Sequence, residues 1–220
     1  MTTALNVIIA DDHPLFRTAL KETISQIFPA ATLYEASNIS TLQQCVIDHN
    51  DVDLILLDLH MPGAHGFSGL IHLSSHHSDI PVVIISAHET PDIMHRAIQH
   101  GAAGFLPKSC PVEMIAEAIN AILQGDIWLP GGIETLAEKN EEEMAVANAL
   151  SALTPQQFRV ATMLAEGLLN KQIAYDLNVT EATIKAHLTE IFKKLGVNSR
   201  TQAVLAISQL DVQAPSMSLD

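Results

Sequence analysis

The chain has 220 residues, of which 48% are hydrophobic and 16% are charged, and its formal net charge is −14. This composition excludes an intrinsically disordered chain, and the length suffices for two domains that each bury a core. No apolar run approaches the roughly 18 residues that a membrane-spanning helix needs. The apolar run 5–10 follows no basic segment and stops at Asp11, so we do not interpret it as a signal peptide and expect a cytoplasmic protein.

The negative charge is distributed unevenly along the chain. Residues 1–150 carry 5 lysines and arginines against 19 aspartates and glutamates, whereas residues 151–210 carry 6 against 4. This asymmetry indicates two modules with different partners, of which only the second is suited by its charge to nucleic acid.

Short apolar runs alternate with amphipathic stretches in the first module. The runs predict strands at 6–10, 32–35, 54–57, 82–86 and 104–106, and the stretches predict helices at about 15–28, 39–49, 66–76, 91–100 and 111–124. Runs 54–57 and 82–86 are apolar on both faces, which is typical of central parallel strands covered by helices. The alternation predicts an open, doubly wound α/β sheet with right-handed crossovers.

Polar side chains stand where these predicted strands end. Asp11 and Asp12 follow the first strand, Asp58 the third and Lys108 the fifth, while Ser86 closes the fourth. Ligands bind outside the carboxyl ends of parallel strands, so these groups are expected to converge. A single acid at such an end is most simply a solvated loop residue, but that explanation is poor for a matching set at several strand ends.

The clustered carboxylates also indicate which reaction the site could perform. Two of them about 4 Å apart repel by roughly 4 kcal/mol at an effective dielectric constant of about 20, so a cation is expected among them. A hard, oxygen-seeking Mg²⁺ suits this set. One carboxylate can then act as the nucleophile toward phosphorus, while an ammonium and a hydroxyl stabilise charge on the transferred oxygens.

Four motifs of this module resemble the successive signatures of receiver domains, which have a flavodoxin-like (βα)5 fold. They are Asp-Asp-His-Pro at 11–14, Leu-Asp-Leu-His-Met-Pro-Gly at 57–63, Ser-Ala at 86–87 and Phe-Leu-Pro-Lys-Ser at 105–109. The resemblance covers about residues 4–124. It implies that Asp58 is the phosphoacceptor, and that Mg²⁺ is bound by Asp12, by Asp58 and by the backbone carbonyl of His60, with Asp11 assisting through water.

The same resemblance assigns three further residues. Ser86 would reach the phosphoryl oxygens, Phe105 would be the aromatic switch that turns inward, and Lys108 would pair with the phosphoryl group. Position 60 is His where Asn is common, and position 105 is Phe rather than Tyr. Neither departure removes a group that the reaction needs.

Residues 126–150 are predicted to form a linker, with 128–132 breaking regular structure and a helix near 133–149. The acidic run 141–143 within it is interpreted as a solvated helix face; the alternative is that it engages the basic second module.

In the first module, His72 and His76 have the i,i+4 spacing of a metal-binding pair. A polar helix face is the favoured interpretation, because only Asp79 stands nearby as a third ligand.

The second module is predicted to be all helical, with helices at 155–166, 171–177, 181–195 and 200–210. Thr154, Asn170, Thr180 and Ser199 are the expected N-caps, and Asn178 is expected in a left-handed turn. Helix 181–195 has an apolar stripe formed by Ile184, Leu188, Ile191 and Leu195. The opposite face is small or basic and consists of Ala182, Lys185, Ala186, Thr189 and Lys193. This pattern alone is about equally consistent with a helix-turn-helix and with an ordinary helical bundle.

Motifs in this module resemble the LuxR/NarL-type output domain, a four-helix DNA-binding domain. They include Asn-Lys-Gln-Ile-Ala at 170–174 and Thr-Ile-Lys-Ala-His at 183–187, and the match spans about residues 151–210. The resemblance implies that Lys185, Ala186 and Thr189 face base edges, whereas phosphates are contacted by Lys171, Thr183 and Lys193. Residues 156–157 are Gln-Gln where Arg-Glu is usual, which puts local packing there in doubt.

Together the resemblances identify a two-component response regulator of the NarL/FixJ family, divided into receiver 1–125, linker 126–150, helix-turn-helix domain 151–210 and tail 211–220. A histidine kinase or a small phosphodonor would phosphorylate Asp58. The family suggests that the unphosphorylated receiver masks the recognition helix, and that phosphorylation releases it to dimerise through the last helix and bind promoter DNA. A milder alternative is DNA binding that does not depend on phosphorylation. The rival class is an aspartate-nucleophile phosphatase, but that enzyme needs an acid at the position of His60, so no enzyme is expected.

Overall fold

The computed structural model describes residues 5–131 and 140–212. Its five parallel strands form one sheet in the order β2-β1-β3-β4-β5. The strands are β1 (Asn6–Ala10), β2 (Thr32–Ala36), β3 (Leu54–Asp58), β4 (Val82–Ser86) and β5 (Gly104–Pro107). The strand order reverses between β1 and β3, so the carboxyl ends of these two strands border the crevice where doubly wound sheets bind ligands.

Helices cover both faces of this sheet. They are α1 (Pro14–Ile27), α2 (Ile39–Asp48), α3 (Ser68–His76), α4 (Pro91–Gln99) and α5 (Val112–Leu123). Side chains of β3 and β4 alternate between two buried apolar clusters, one shared with α2, α3 and α4, the other with α1 and α5. Every residue of these two strands is buried, which explains why their sequences are apolar throughout. The predicted flavodoxin-like fold is confirmed.

The segment after α5 extends the sheet. Trp128 pairs in parallel with Gly104: its N–H donates to the Ala103 carbonyl (3.0 Å), and its own carbonyl accepts from the Phe105 N–H (3.1 Å). The Trp128 side chain is buried against the α1–α5 cluster. The predicted break in regular structure at 128–132 therefore begins one residue later than expected. Trp128 still pairs with the sheet because its side chain has apolar surface to bury. Residues 132–139, where the predicted linker helix would begin, lie outside the described residues.

Five helices follow. They are α6 (Glu141–Ser151), α7 (Pro155–Ala165), α8 (Asn170–Asp176), α9 (Glu181–Leu195) and α10 (Arg200–Ser208). The α9 helix packs against the other four, and the buried part of its stripe is Ile184, Leu188 and Ile191. Among the described residues, no helix combines the length and apolarity needed to cross a bilayer.

Local signals at the helix ends largely match the predictions. The side chains of Thr154, Thr180 and Ser199 accept the expected capping hydrogen bonds, and Asn178 has a φ of 53°, in the left-handed region. Asn170 is not a cap, because it is already the first residue of α8. The N-cap residue is Leu169, and its N–H donates a 2.7 Å hydrogen bond to the side-chain oxygen of Gln172.

The doubtful Gln-Gln pair is accommodated at the start of α7. The Gln157 side-chain oxygen accepts hydrogen bonds from the Thr154 N–H (3.1 Å) and from the Lys194 ammonium (2.7 Å). Gln157 thus completes the capping box of α7 and ties that helix to the end of α9.

The two modules pack against each other through α3, α6, α7 and the residues after α10. The His72 ring of α3 stacks on the Phe158 ring of α7, with centroids 4.2 Å apart and planes 8° from parallel. Nearby, the Phe67 N–H donates to the Leu210 carbonyl (3.0 Å). One apolar cluster therefore continues from the receiver into the helical module.

Two interpretations of polar residues are corrected by this interface. His72 is 3% exposed, so it does not belong to a polar helix face. Within the described part of the chain, one group of three or more side chains is placed to hold a metal, and it contains neither His72 nor His76. The metal-binding alternative for this histidine pair is therefore unsupported. In the acidic run, Glu141 and Glu142 are exposed, as the solvated-face interpretation expects, but Glu143 is buried and binds Arg96 and His100 of the receiver.

Candidate active site and nucleic-acid interface

The carboxyl ends of β1 and β3 bring an acidic cluster together. Asp11, Asp12, His13 and Asp58 each place one ligand atom within 4.8 Å of the others. Asp11 is 2% exposed and Asp58 is 4% exposed, although both are acids. Burial of unpaired carboxylates is costly, so this cluster requires compensating positive charge.

Lys108 supplies part of that charge. Its ammonium donates to Asp58 Oδ2 (2.8 Å) and lies 2.7 Å from Asp11 Oδ2. Burial lowers the pKa of Lys108, but the two carboxylates beside it outweigh burial and raise the pKa above its usual value, so the side chain is cationic. The Lys108 N–H donates to the Ser86 carbonyl (2.8 Å), which fixes the loop after β5 at the end of β4.

The residues present fit a divalent cation. Asp11 Oδ2 and Asp12 Oδ1 are buried without a hydrogen bond, although the Lys108 ammonium lies 2.7 Å from the first and His13 Nδ1 lies 2.7 Å from the second. Three carboxylates against one lysine leave excess negative charge, and carboxylate oxygens are the ligands that Mg²⁺ prefers. Asp11, Asp12 and Asp58 are therefore the residues that could hold the ion. The predicted role of the His60 carbonyl stays a prediction; the His60 ring is exposed and lies 4.8 Å from the His88 ring.

Ser86 lies at the expected carboxyl edge of the sheet, whereas Phe105 lies within β5. The sheet register pairs Asp58 with Ile85, so Ser86 lies one residue beyond the acid on the adjacent strand. Its buried hydroxyl oxygen accepts from the His88 N–H (3.1 Å). Phe105 is fully buried, and its role as the aromatic switch stays a prediction.

Three nearby residues were missed by the sequence interpretation. His13 Nδ1 lies 3.2 Å from Asp11 Oδ1, and Arg17 donates from Nη1 to the Asp11 carbonyl (2.6 Å). Phe16 lies under the Lys108 ammonium, 4.8 Å from nitrogen to ring centroid. His13 belongs to the quoted motif 11–14, so its place in the motif was the available signal. The two α1 residues show only helical periodicity, which does not reveal their neighbours.

A second candidate surface is formed by α8, the Asn178 turn and α9. The side chains of Lys171, Lys185 and Lys193 are exposed, and none is in an ion pair with a described residue. Ala186 and Thr189 are exposed on the same side of α9. Thr183 is different, because it is half-buried and its hydroxyl lies 2.9 Å from that of Thr180.

The receiver does not cover this surface. Lys185, Ala186 and Thr189 stay exposed while the receiver packs on α6, α7 and the residues after α10. The expectation that the recognition helix is masked is therefore wrong for this arrangement. The physical reason is that the apolar surface available to the receiver, including Phe158 and Leu210, lies on other elements of the helical module.

Comparison with known proteins assigns each of the two modules to a family. Residues 7–120 match the response regulator receiver domain, and residues 151–207 match the bacterial regulatory proteins of the luxR family. The chain is 41% identical to the glycerol metabolism activator of Pseudomonas putida, over 94% of this chain and 97% of that protein. It is 30% identical to the nitrate/nitrite response regulator NarL of Escherichia coli K12, over 92% and 94%.

Solved structures show the same fold. RcsB from Salmonella enterica serovar Typhimurium, bound to a promoter in the presence of the phosphomimetic BeF3−, aligns with a TM-score of 0.56 at 23% identity, over 94% of this chain and 100% of that one. The chain therefore belongs to the response regulators that join a receiver domain to a LuxR-type helix-turn-helix domain.

Proposed function

We propose that a histidine kinase phosphorylates this transcriptional response regulator on Asp58, and that the phosphoryl group controls how its helix-turn-helix domain binds promoter DNA. The observation that carries this proposal is the nearly buried Asp58 carboxylate hydrogen-bonded to Lys108 beside Asp11. Such a carboxylate is held in place, shielded from bulk water and adjacent to a cation that can pair with a phosphoryl group.

The chemistry follows from these groups. A carboxylate oxygen of Asp58 attacks phosphorus, the bond from phosphorus to the donor nitrogen or oxygen breaks, and the leaving group takes the bonding electron pair. Lys108 remains an ammonium and stabilises negative charge on the phosphoryl oxygens, and the Ser86 hydroxyl is proposed to bind one of them. A Mg²⁺ ion held by Asp11, Asp12 and Asp58 would supply further positive charge to those oxygens.

The exposed side of α9 supports DNA binding. Lys185, Ala186 and Thr189 are proposed to face base edges, with Lys185 as the strong hydrogen-bonding reader and the other two suited to thymine methyl groups. Phosphate contacts are proposed for Lys171 and Lys193, and for Thr183 once its hydroxyl leaves Thr180.

The proposed organisation assigns 1–125 to the receiver, 126–150 to a linker, 151–210 to the DNA-binding domain and 211–220 to a tail. The phosphorylated form is proposed to bind DNA as a homodimer through α10, in the cytoplasm. Support comes from a solved RcsB structure that contains dimers bound to DNA, and from Leu205 of α10, which is 61% exposed. The phosphatase alternative has no matching support, because residue 60 is His rather than the acid that such an enzyme needs.

Phosphorylation can be tested with acetyl phosphate and Mg²⁺. We expect mass spectrometry to find one phosphoryl group on the wild-type protein, on the peptide that contains Asp58, and none on Asp58→Ala. Asp92→Ala, which removes an exposed acid from the first turn of α4, should be phosphorylated like the wild type. Equal labelling of Asp58→Ala would place the phosphoacceptor elsewhere and contradict the proposal.

A further inference from the structure

A cavity of about 380 Å³ lies between the receiver and the helical module. Its walls come from α2, from the end of α3 and from the first turn of α7. This volume falls within the range of small-molecule sites, roughly 300–1,000 Å³. It is separate from the acidic cluster, with which it shares no residue.

Three side chains that line this interdomain cavity have polar groups without a hydrogen-bond partner among the described residues. The guanidinium of Arg159 forms no ion pair or hydrogen bond with the described residues. The Gln43 side-chain nitrogen and His72 Nδ1 are buried without a hydrogen-bond partner, and His72 is only 3% exposed. No aspartate or glutamate is among the described residues that line the cavity.

One further feature of this cavity favours negative charge. The N-terminal end of α7 at Pro155 carries the positive end of the helix dipole. A neighbouring groove shares Ser40 and Arg159 with the cavity and contains Glu166 and Asp176, but neither acid forms an ion pair with Arg159. Arg159 therefore has no ion-pair partner among the described residues, and a buried polar group such as His72 Nδ1 is costly to leave without a hydrogen bond.

We propose that this interdomain cavity binds a small organic anion that carries a carboxylate or a phosphate group. Arg159 pairs with the anionic group, and Gln43 and His72 donate hydrogen bonds to it, His72 from the tautomer with its proton on Nδ1. Leu73 and Pro155 supply apolar wall for a short carbon chain. Burial lowers the pKa of His72 to about 3, so its imidazole is neutral and acts as a hydrogen-bond donor rather than as a charge.

Ligand binding in this cavity is coupled to the packing of the two modules. His72 and Gln43 belong to the receiver, whereas Arg159 belongs to the helical module, so the site is complete only while the two modules pack together. A ligand that binds only this arrangement stabilises it by mass action. This inference does not depend on Asp58 phosphorylation and can be tested in its absence.

The test is isothermal titration of the full chain in Mg²⁺-free buffer with butyrate, succinate and inorganic phosphate in separate runs. We expect one-to-one binding of at least one probe, and the probe that binds decides between the carboxylate and phosphate sources. Arg159→Gln should weaken that binding by about 10-fold or more, because it removes a charge-assisted hydrogen bond. Arg159→Lys should lie between Gln and wild type. Lys21→Gln removes the same charge from α1, away from the cavity, and should bind like the wild type.

His72→Phe provides an independent arm. Phenylalanine can keep the stack on Phe158 but removes the ring nitrogen, so probe affinity should fall while the thermal unfolding midpoint at pH 8 stays near that of the wild type. The inference is overturned if no probe binds the wild-type protein at millimolar concentration. It is also overturned if a probe binds Arg159→Gln and His72→Phe as tightly as the wild type, since its site would then lie elsewhere.

Discussion

Glu143 is expected to hold the two modules together. It lies on α6, with Oε1 accepting from Arg96 Nε (2.9 Å) and placed 2.6 Å from His100 Nε2, both in the receiver. Burial raises the pKa of Glu143, but the hydrogen bonds from His100 and Arg96 outweigh burial and lower it, so the side chain is an anion. Arg96 also donates to the Gln209 carbonyl after α10 (3.0 Å). Glu143→Ala therefore removes the anion that links the receiver to the helical module.

The magnitude follows from the burial of the pair. Removing one partner of a buried ion pair costs about 3–5 kcal/mol. Arg96 is 17% exposed and would keep its hydrogen bond to the Gln209 carbonyl, so we expect a smaller loss of about 2 kcal/mol from the packed arrangement. That loss favours separation of the modules about 30-fold.

Hydrogen exchange measures this shift directly. The Phe67 N–H donates to the Leu210 carbonyl across the interface, so separation of the modules exposes it to solvent. In Glu143→Ala we expect the Phe67 amide to exchange up to about 30-fold faster, while amides of β3 keep their protection. Glu142→Ala, an exposed neighbour on the same helix, is the matched control and should exchange like the wild type. Unchanged exchange at Phe67 in Glu143→Ala would refute the assigned role of Glu143.

Three further outcomes are expected. Lys108→Ala should abolish the effect of acetyl phosphate on DNA affinity in an anisotropy titration, because it removes the cation that pairs with the phosphoryl group; an undiminished effect would contradict this. His72 is held neutral by burial, with a pKa lowered to about 3 from its ordinary 6.5. The resulting stability is present above pH 6.5 and is lost as the pH falls, by about 1.4 kcal/mol per unit until the folded pKa is reached. His72→Phe keeps the stack on Phe158 but has no group to titrate, so its free energy of unfolding, measured with denaturant, should fall less steeply from pH 6 to pH 4 than that of the wild type. Identical pH dependence in the two proteins would contradict this assignment. Lys185→Ala should cost about 1–3 kcal/mol on the preferred DNA sequence and little on random DNA, whereas Lys193→Ala should weaken both equally and reduce the salt dependence by about one ion. Equal losses on both DNAs for Lys185→Ala would remove it from the base-reading group.

Much of the fold could be predicted because its signals are local. The apolar runs of the strands, the capping threonines and the left-handed Asn178 each depend on a few neighbouring residues, and the structure agrees with them to within a residue or two. The acidic cluster could also be predicted, since the topology of a parallel sheet brings strand ends such as those at Asp11 and Asp58 to one edge.

The interface between the modules could not be predicted in the same way. Its contacts join distant residues: Arg96 binds the carbonyl of Gln209, 113 positions away, and His72 stacks on Phe158. Histidine and glutamate at helical spacing have the pattern of a solvated face, and only the packing of a second module shows that His72 and Glu143 are buried. The recognition surface itself was predicted, but the receiver leaves it uncovered, and nothing local to α9 specifies which side of the helical module the receiver covers.

The central claim is that the phosphoryl group on Asp58 controls DNA binding. The most direct measurement is the affinity for a selected DNA site, with and without acetyl phosphate and Mg²⁺, for the wild-type protein and Asp58→Ala in parallel. Tighter binding by the phosphorylated wild type alone is the expected result. Equal affinity in all four samples would contradict the claim and leave a DNA-binding protein whose receiver does not control it.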